Sequence, residues 1–163
     1  MATVEQLQQI LLLRGLPQDF LEELAPLAEP LSFQEGETIQ QVGQEADTFY
    51  MLLRGKVLFN VEASPEVTVS LGSVRGGYSF GWPALLPERD YLVESVALEP
   101  SEVLAVPAHG LRELMDRRQA VGYELMKRVY AIMLNRLRRR TGQFVRSIGR
   151  ELEVEEIPEL DPA

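Results

Sequence analysis

Between residues 31 and 106 the apolar period of the chain resets every few positions, and almost every reset falls on a glycine or a proline. Stretches that short cannot propagate a helix, whereas they suit strands bounded by turns. Residues 31–34 precede Glu35-Gly36-Glu37, where glycine supplies the backbone angle that a turn demands. Residues 38–42 run into Gly43, and residues 48–53, dense in apolar and aromatic side chains, run into Arg54-Gly55-Lys56, which reads as a hairpin connection. Residues 57–61 alternate, with Val57, Phe59 and Val61 on one face and Leu58 and Asn60 on the other. Val67, Val69 and Leu71 alternate again, and residues 91–98 and 102–106 give two further strands about Glu99-Pro100-Ser101. About seven or eight short strands with this punctuation predict an all-β sandwich, roll or barrel.

Both flanks read as helix. Val4, Leu7, Ile10 and Leu11 fall at helical spacing up to Gly15 and Pro17, and Phe20, Leu21, Leu24 and Leu27 follow in a second short helix before Pro30. After the strands, His109-Gly110 introduces residues 111–115, and a long helix is expected over about 118–140. Within it Met126, Tyr130, Met133 and Leu137 step by four, three and four, the seam spacing of paired helices, and Val129 widens the apolar arc. The expectation is a homodimer through this segment, against the alternative of a monomer whose helix folds back on the strands. The chain thus divides into residues 1–110 (helices and strands), 111–150 (helical, dimerising) and an acidic tail, 151–163, expected to be disordered.

The chain has 163 residues, 45% of them hydrophobic, enough for one domain with its own core. No apolar run is long enough for a membrane span or a signal-peptide core. Cysteine is absent, which removes disulfides and thiolate chemistry and favours a cytoplasmic address. With His109 as the one histidine and no spaced acidic loop, no metal site is expected. The net charge of −9 disfavours broad contact with a phosphate backbone. Arginines gather at 136, 138, 139, 140, 146 and 150 ahead of the acidic tail, a pattern that reads as a solvated helix end. Catalytic signatures are missing: there is no G-x-S-x-G, Walker A or H-E-x-x-H motif, and Ser79-Phe80-Gly81 is not a nucleophile elbow. His109, beside a helix start, reads as a capping or surface residue, and Glu155 and Glu156 as solvated.

In order and spacing, Phe33, Gly36, Glu37, Gly43, Asp47, Phe49, Tyr50, Gly55 and Val57, then Gly77, Phe80, Gly81, Ala84, Leu85 and Leu86, then Ser95, Val96 and Ala97, resemble the cyclic nucleotide-binding domain family. The resemblance spans about residues 10 to 140, and that family includes the sensor half of bacterial catabolite activators and kinase regulatory subunits. It implies a mainly β fold with flanking helices: a double-stranded β-helix, or jelly-roll-like β-roll, with N-terminal helices and a long C-terminal helix. Phe49, Val57 and Phe59 would fill the interior of the roll. It also implies a non-catalytic regulatory module in which Phe80-Gly81-Trp82-Pro83-Ala84 opens the phosphate-binding cassette. A glycine ahead of a short helical turn aims backbone N–H groups at an anion.

At two places the sequence departs from the family pattern. The glutamate that follows the cassette glycine and holds the ribose is replaced by Trp82, and the arginine that pairs with the cyclic phosphate is replaced by Leu92. An indole offers one donor, and leucine offers none. Loss of the charged partner should cost on the order of 3 kcal/mol of affinity. Arg89 lies close enough in sequence to bend inward, although Asp90 competes for its guanidinium. Trp82, Tyr91, Leu92 and Val93 suit a flat or apolar ligand, so the expected ligand is an aromatic small molecule or a cyclic nucleotide held in an unusual way. The alternatives are a homodimeric scaffold in which Trp82 plugs the cavity and a protein is the partner, or a nucleotide-binding regulator whose DNA-reading partner is a separate chain. No recognition helix follows residue 140, so no direct DNA contact is expected.

Overall fold

The computed structural model describes residues 1–148, and the tail expected at 151–163 lies outside the described residues. Helix α1 spans Val4–Gln8 and opens on a capping box: Gln6 N–H donates to Thr3 Oγ1 at 3.2 Å, and Thr3 N–H donates to Gln6 Oε1 at 2.9 Å. The expected continuation through Leu11 does not form. Ile10 is extended, Leu11–Leu13 makes a 3-10 turn, and Leu11 N–H donates to Gly77 O at 2.9 Å. That long-range bond takes the donor a helix would have used. Helix α2 spans Gln18–Leu24, with Phe20, Leu21 and Leu24 buried.

Eight strands follow among the described residues: β1 (Glu29–Phe33), β2 (Thr38–Gln40), β3 (Thr48–Arg54), β4 (Lys56–Ser64), β5 (Val67–Arg75), β6 (Ser79–Phe80), β7 (Glu94–Ala97) and β8 (Ser101–Pro107). They form two antiparallel sheets of four, in the orders β1-β8-β3-β6 and β2-β7-β4-β5. Phe59 of the second sheet lies 5.8 Å from Phe80 of the first, and Phe80 stacks on Tyr50 at 5.1 Å, so Tyr50 and Phe80 mark the face of the first sheet that looks at the second. Strand geometry puts Phe49 and Met51 on the opposite face, which is also buried. The expected interior residues Val57 and Phe59 are buried between the sheets. Phe49 is buried too, but on the other side of β3, against Trp82.

The β3–β4 connection turns on Gly55, whose φ is 97°. A Cβ there would meet Ser101 Cα at 2.7 Å and Pro100 O at 2.8 Å, so both the angle and the close packing against β8 require glycine. Strand β7 is shorter than the expected 91–98. Tyr91 is bonded instead to the turn at 43–44, with Tyr91 N–H donating to Gln44 O at 2.9 Å and Gly43 N–H to Tyr91 O at 3.0 Å.

Helix α3 spans Ala108–Arg117 and starts ahead of the expected 111; His109 therefore lies within it, exposed, 3.3 Å from Glu113 on the next turn. Helix α4 spans Gln119–Ile148 and so continues past the expected 140. The chain parts into two units, Met1–Arg128 and Val129–Ala163, the division falling inside α4. Among the described residues no helix is long and apolar enough to cross a membrane.

The cassette turn as candidate functional site

Strand β6 delivers the chain to Gly81, which is left-handed (φ 78°, ψ 33°), and a 3-10 turn, Trp82–Leu85, follows with proline at its start. A Cβ at Gly81 would meet Thr48 O at 3.1 Å, Tyr50 Cδ2 at 3.2 Å and Gln40 Oε1 at 3.5 Å, so the turn is seated directly on β2 and β3. The expected row of free N–H groups is reduced here: Pro83 brings none, and Ala84 N–H donates to Gly81 O at 3.1 Å. On the far side, Arg112 of α3 donates to Ala84 O at 2.7 Å.

The indole of Trp82 packs edge-on against Phe49, centroids 5.4 Å apart at 60°. Phe49 belongs to the face of β3 opposite Tyr50, so Trp82, at the expected glutamate position, leans away from the Tyr50–Phe80 face. Leu92, at the expected arginine position, is 75% exposed. Arg89 is also exposed, and its guanidinium turns back to the carbonyl of Glu88, 3.4 Å away. Every charged residue between 79 and 93 (Glu88, Arg89 and Asp90) lies at the surface, and among the described residues no group of His, Cys, Asp and Glu is disposed to hold a metal.

Of the expected site residues, Phe80, Gly81, Ala84 and Tyr91 are buried, and Pro83 and Val93 half-buried. Tyr91 anchors the end of the cassette: its hydroxyl donates to Thr48 O at 2.6 Å and accepts from Thr48 N–H at 3.1 Å. Burial pushes the Tyr91 phenol well above its ordinary range, and the neighbouring Tyr50 adds to that; burial raises Tyr50 as well. On α4, Met126, Tyr130 and Leu137 of the expected seam are exposed, Met133 is half-buried and Val129 is buried.

The sequence reading missed Gln40, which is 2% exposed and joins the two ends of the cassette. Its Nε2 donates to Val93 O at 3.2 Å, while its Oε1 lies under Gly81 and has no hydrogen-bond partner among the described residues. Ser95, opposite it on β7, is fully buried and its hydroxyl is likewise without a partner. No local signal marked it, because an amide within a strand ordinarily reads as an outward-facing residue.

Comparison with known proteins agrees with this architecture. A Geobacter metallireducens protein named as a cyclic nucleotide-binding protein superposes with a TM-score of 0.73 at 31% identity, covering 84% of this chain and 99% of that one. The sensor domain of the transcriptional regulator DNR from Pseudomonas aeruginosa shares the fold, with a TM-score of 0.67 at 19% identity over 94% and 95% of the two chains. The cAMP-dependent protein kinase regulatory subunit of Dictyostelium discoideum is 32% identical over 88 residues, 52% of this chain and 27% of that protein, so the chain spans about a quarter of that relative's length. With residues 30–118 matching the family model described as "Cyclic nucleotide-binding domain", the chain belongs to the cyclic nucleotide-binding domain family.

Proposed function

We propose that this chain is a non-catalytic, cytoplasmic regulatory module that senses a small molecule at the cassette without the usual carboxylate–ribose and arginine–phosphate contacts. The reading is supported by a glycine turn where the cassette is expected, without a charged side chain at either expected position. Gly81 makes a left-handed turn against β3, while Trp82 packs on Phe49 and Leu92 stands in solvent. A regulatory role accords with the name of the Dictyostelium relative, a cAMP-dependent kinase regulatory subunit. In this reading residues 1–110 sense and residues 111–150 transmit and dimerise, because Arg112 of α3 holds the cassette turn and α4 exposes Met126, Tyr130 and Leu137. A ligand acts only to the extent that it binds two arrangements of this device unequally.

A second reading, a ligand-free homodimeric scaffold with a protein partner, draws on the same exposed stripe and on the packing of Trp82. Replacing both altered residues decides between them. The double variant Trp82→Glu, Leu92→Arg should gain cyclic AMP binding if the cassette frame is that of a ligand site. A folded double variant that binds none favours the scaffold.

A further inference from the structure

In a chain whose net charge is −9, residues 129–148 of α4 hold Arg136, Arg138, Arg139, Arg140 and Arg146 and neither aspartate nor glutamate. Arg138, Arg139, Arg140 and Arg146 are exposed, and among the described residues none of these four forms an ion pair. Arg136 is half-buried; burial, and after it the charge of Arg140 one turn on, lowers its guanidinium below the ordinary range. Like charges one turn apart repel, and the negative end of the helix dipole offsets that only in the last turn. The stretch is therefore held at a cost unless an anion meets it.

The same stretch carries an apolar face. At about 100° per residue, Leu134, Leu137, Phe144 and Val145 fall within one arc of about 100°, with Arg140 bordering one side of it and Arg138 the other. All four apolar side chains are exposed. A solvated helix end needs the arginines but not that arc. Nor does a second copy suit it: three residues beyond Leu137 the seam spacing falls on Arg140, and parallel pairing would set like charges face to face.

We propose that residues 134–148 of α4 are a docking face for an anionic lipid surface, with Leu134, Leu137, Phe144 and Val145 at the acyl boundary and Arg138 and Arg140 on the headgroup phosphates. A nucleic acid would meet the arginines and leave the arc in water, whereas a bilayer carrying anionic lipid meets both. Arginine suits the rim, because its stem lies along apolar surface while its guanidinium pairs with phosphate through two bonds. Arg139 and Arg146, on the opposite side of the helix, add to the attraction across about one Debye length. No described helix is long and apolar enough to cross a membrane, so the attachment is to its surface. The proposal is independent of whether the cassette takes a ligand.

The test is co-sedimentation of the full chain with vesicles of phosphatidylcholine alone and of phosphatidylcholine mixed two to one with phosphatidylglycerol, at low and at high salt. The wild type should sediment with the anionic vesicles and not with the neutral ones, and salt should weaken the binding. This comparison needs no variant and stands whatever the variants do. Arg138→Gln with Arg140→Gln should weaken binding about tenfold or more, each surface charge being worth about fivefold, and Phe144→Ser should weaken it several-fold. Arg54→Gln with Arg75→Gln, the same change of charge on the strands, should bind as the wild type does. A wild type that binds neither vesicle overturns the proposal, and so does undiminished binding by the Arg138, Arg140 variant. A loss there with none in Phe144→Ser means adsorption by charge alone and overturns the seated helix. Binding to a short DNA duplex but to no vesicle assigns the arginines to nucleic acid. Vesicle binding that appears only when Glu151, Glu153, Glu155 and Glu156 are replaced by glutamine assigns the face to that acidic segment. Either result overturns the proposal as well.

Discussion

Arg112 donates to the backbone carbonyl of Ala84 at 2.7 Å, so one side chain of α3 holds the cassette turn. A short 3-10 turn leaves carbonyls without internal partners, and a partly buried guanidinium satisfies one of them. Arg112→Ala should therefore lower unfolding free energy by about 1–2 kcal/mol in a urea titration. The amides of Leu85 and Leu86 should exchange faster in this variant, while those of β3 and β8 stay protected. Uniform loss of protection would mean that Arg112 supports the whole fold rather than the turn.

Gly81→Ala tests the seat of the cassette. Its left-handed backbone, with Thr48 O 3.1 Å and Tyr50 Cδ2 3.2 Å from the added methyl, should make the change cost about 1–3 kcal/mol. A thermal melt that moves by less than the run-to-run scatter would contradict the tight seating of the turn.

Tyr91 predicts an alkaline limit to stability. Burial raises the folded phenol above the unfolded value of about 10, so the folded state holds its proton where the unfolded state has lost it. Its contribution is complete below about pH 10 and falls as pH rises beyond that. Denaturant midpoints should be level from about pH 7 to 9 and decline above 10. Tyr91→Phe should shrink that decline and, by losing the bond to Thr48 O, cost about 1 kcal/mol at neutral pH.

Much of the fold is legible in the sequence because turns are local. The glycine at 55 announces its hairpin, and the alternation of Val57 and Phe59 reports their inward face. What escapes is set by partners far along the chain. Helix α1 stops at Gln8 because Leu11 bonds Gly77, and β7 starts only at Glu94 because Tyr91 pairs with the 43–44 turn. Phe49 reads as an interior residue from its hydrophobicity, yet which side of β3 buries it depends on where Phe80 and Trp82 lie. At the site, the replacements expected at 82 and 92 rest on spacing within the family pattern. Gln40 is not, since nothing local says that its amide lies beneath Gly81.

Arg128 links the start of α4 to the N-terminal segment, its Nη1 donating to Leu12 O at 2.8 Å and to Arg14 O at 2.7 Å. The two carbonyls end the 3-10 turn Leu11–Leu13, which positive charge at its C-terminus favours. Arg128→Ala should cost about 1–3 kcal/mol, and lysine, whose ammonium ends short of the Nη1 position and cannot also donate to Glu124 as Nε does, should restore less than half. Chemical denaturation of the three proteins checks the order.

Titration of cyclic AMP into the wild-type protein, followed by calorimetry, addresses most directly whether the cassette has given up its phosphate partner. With leucine at 92 and tryptophan at 82, affinity should be no tighter than about millimolar, the level left once charged contacts worth several kcal/mol are gone. A wild-type dissociation constant in the low micromolar range or below would contradict the account, because it would require a cation at the phosphate that Leu92 cannot supply.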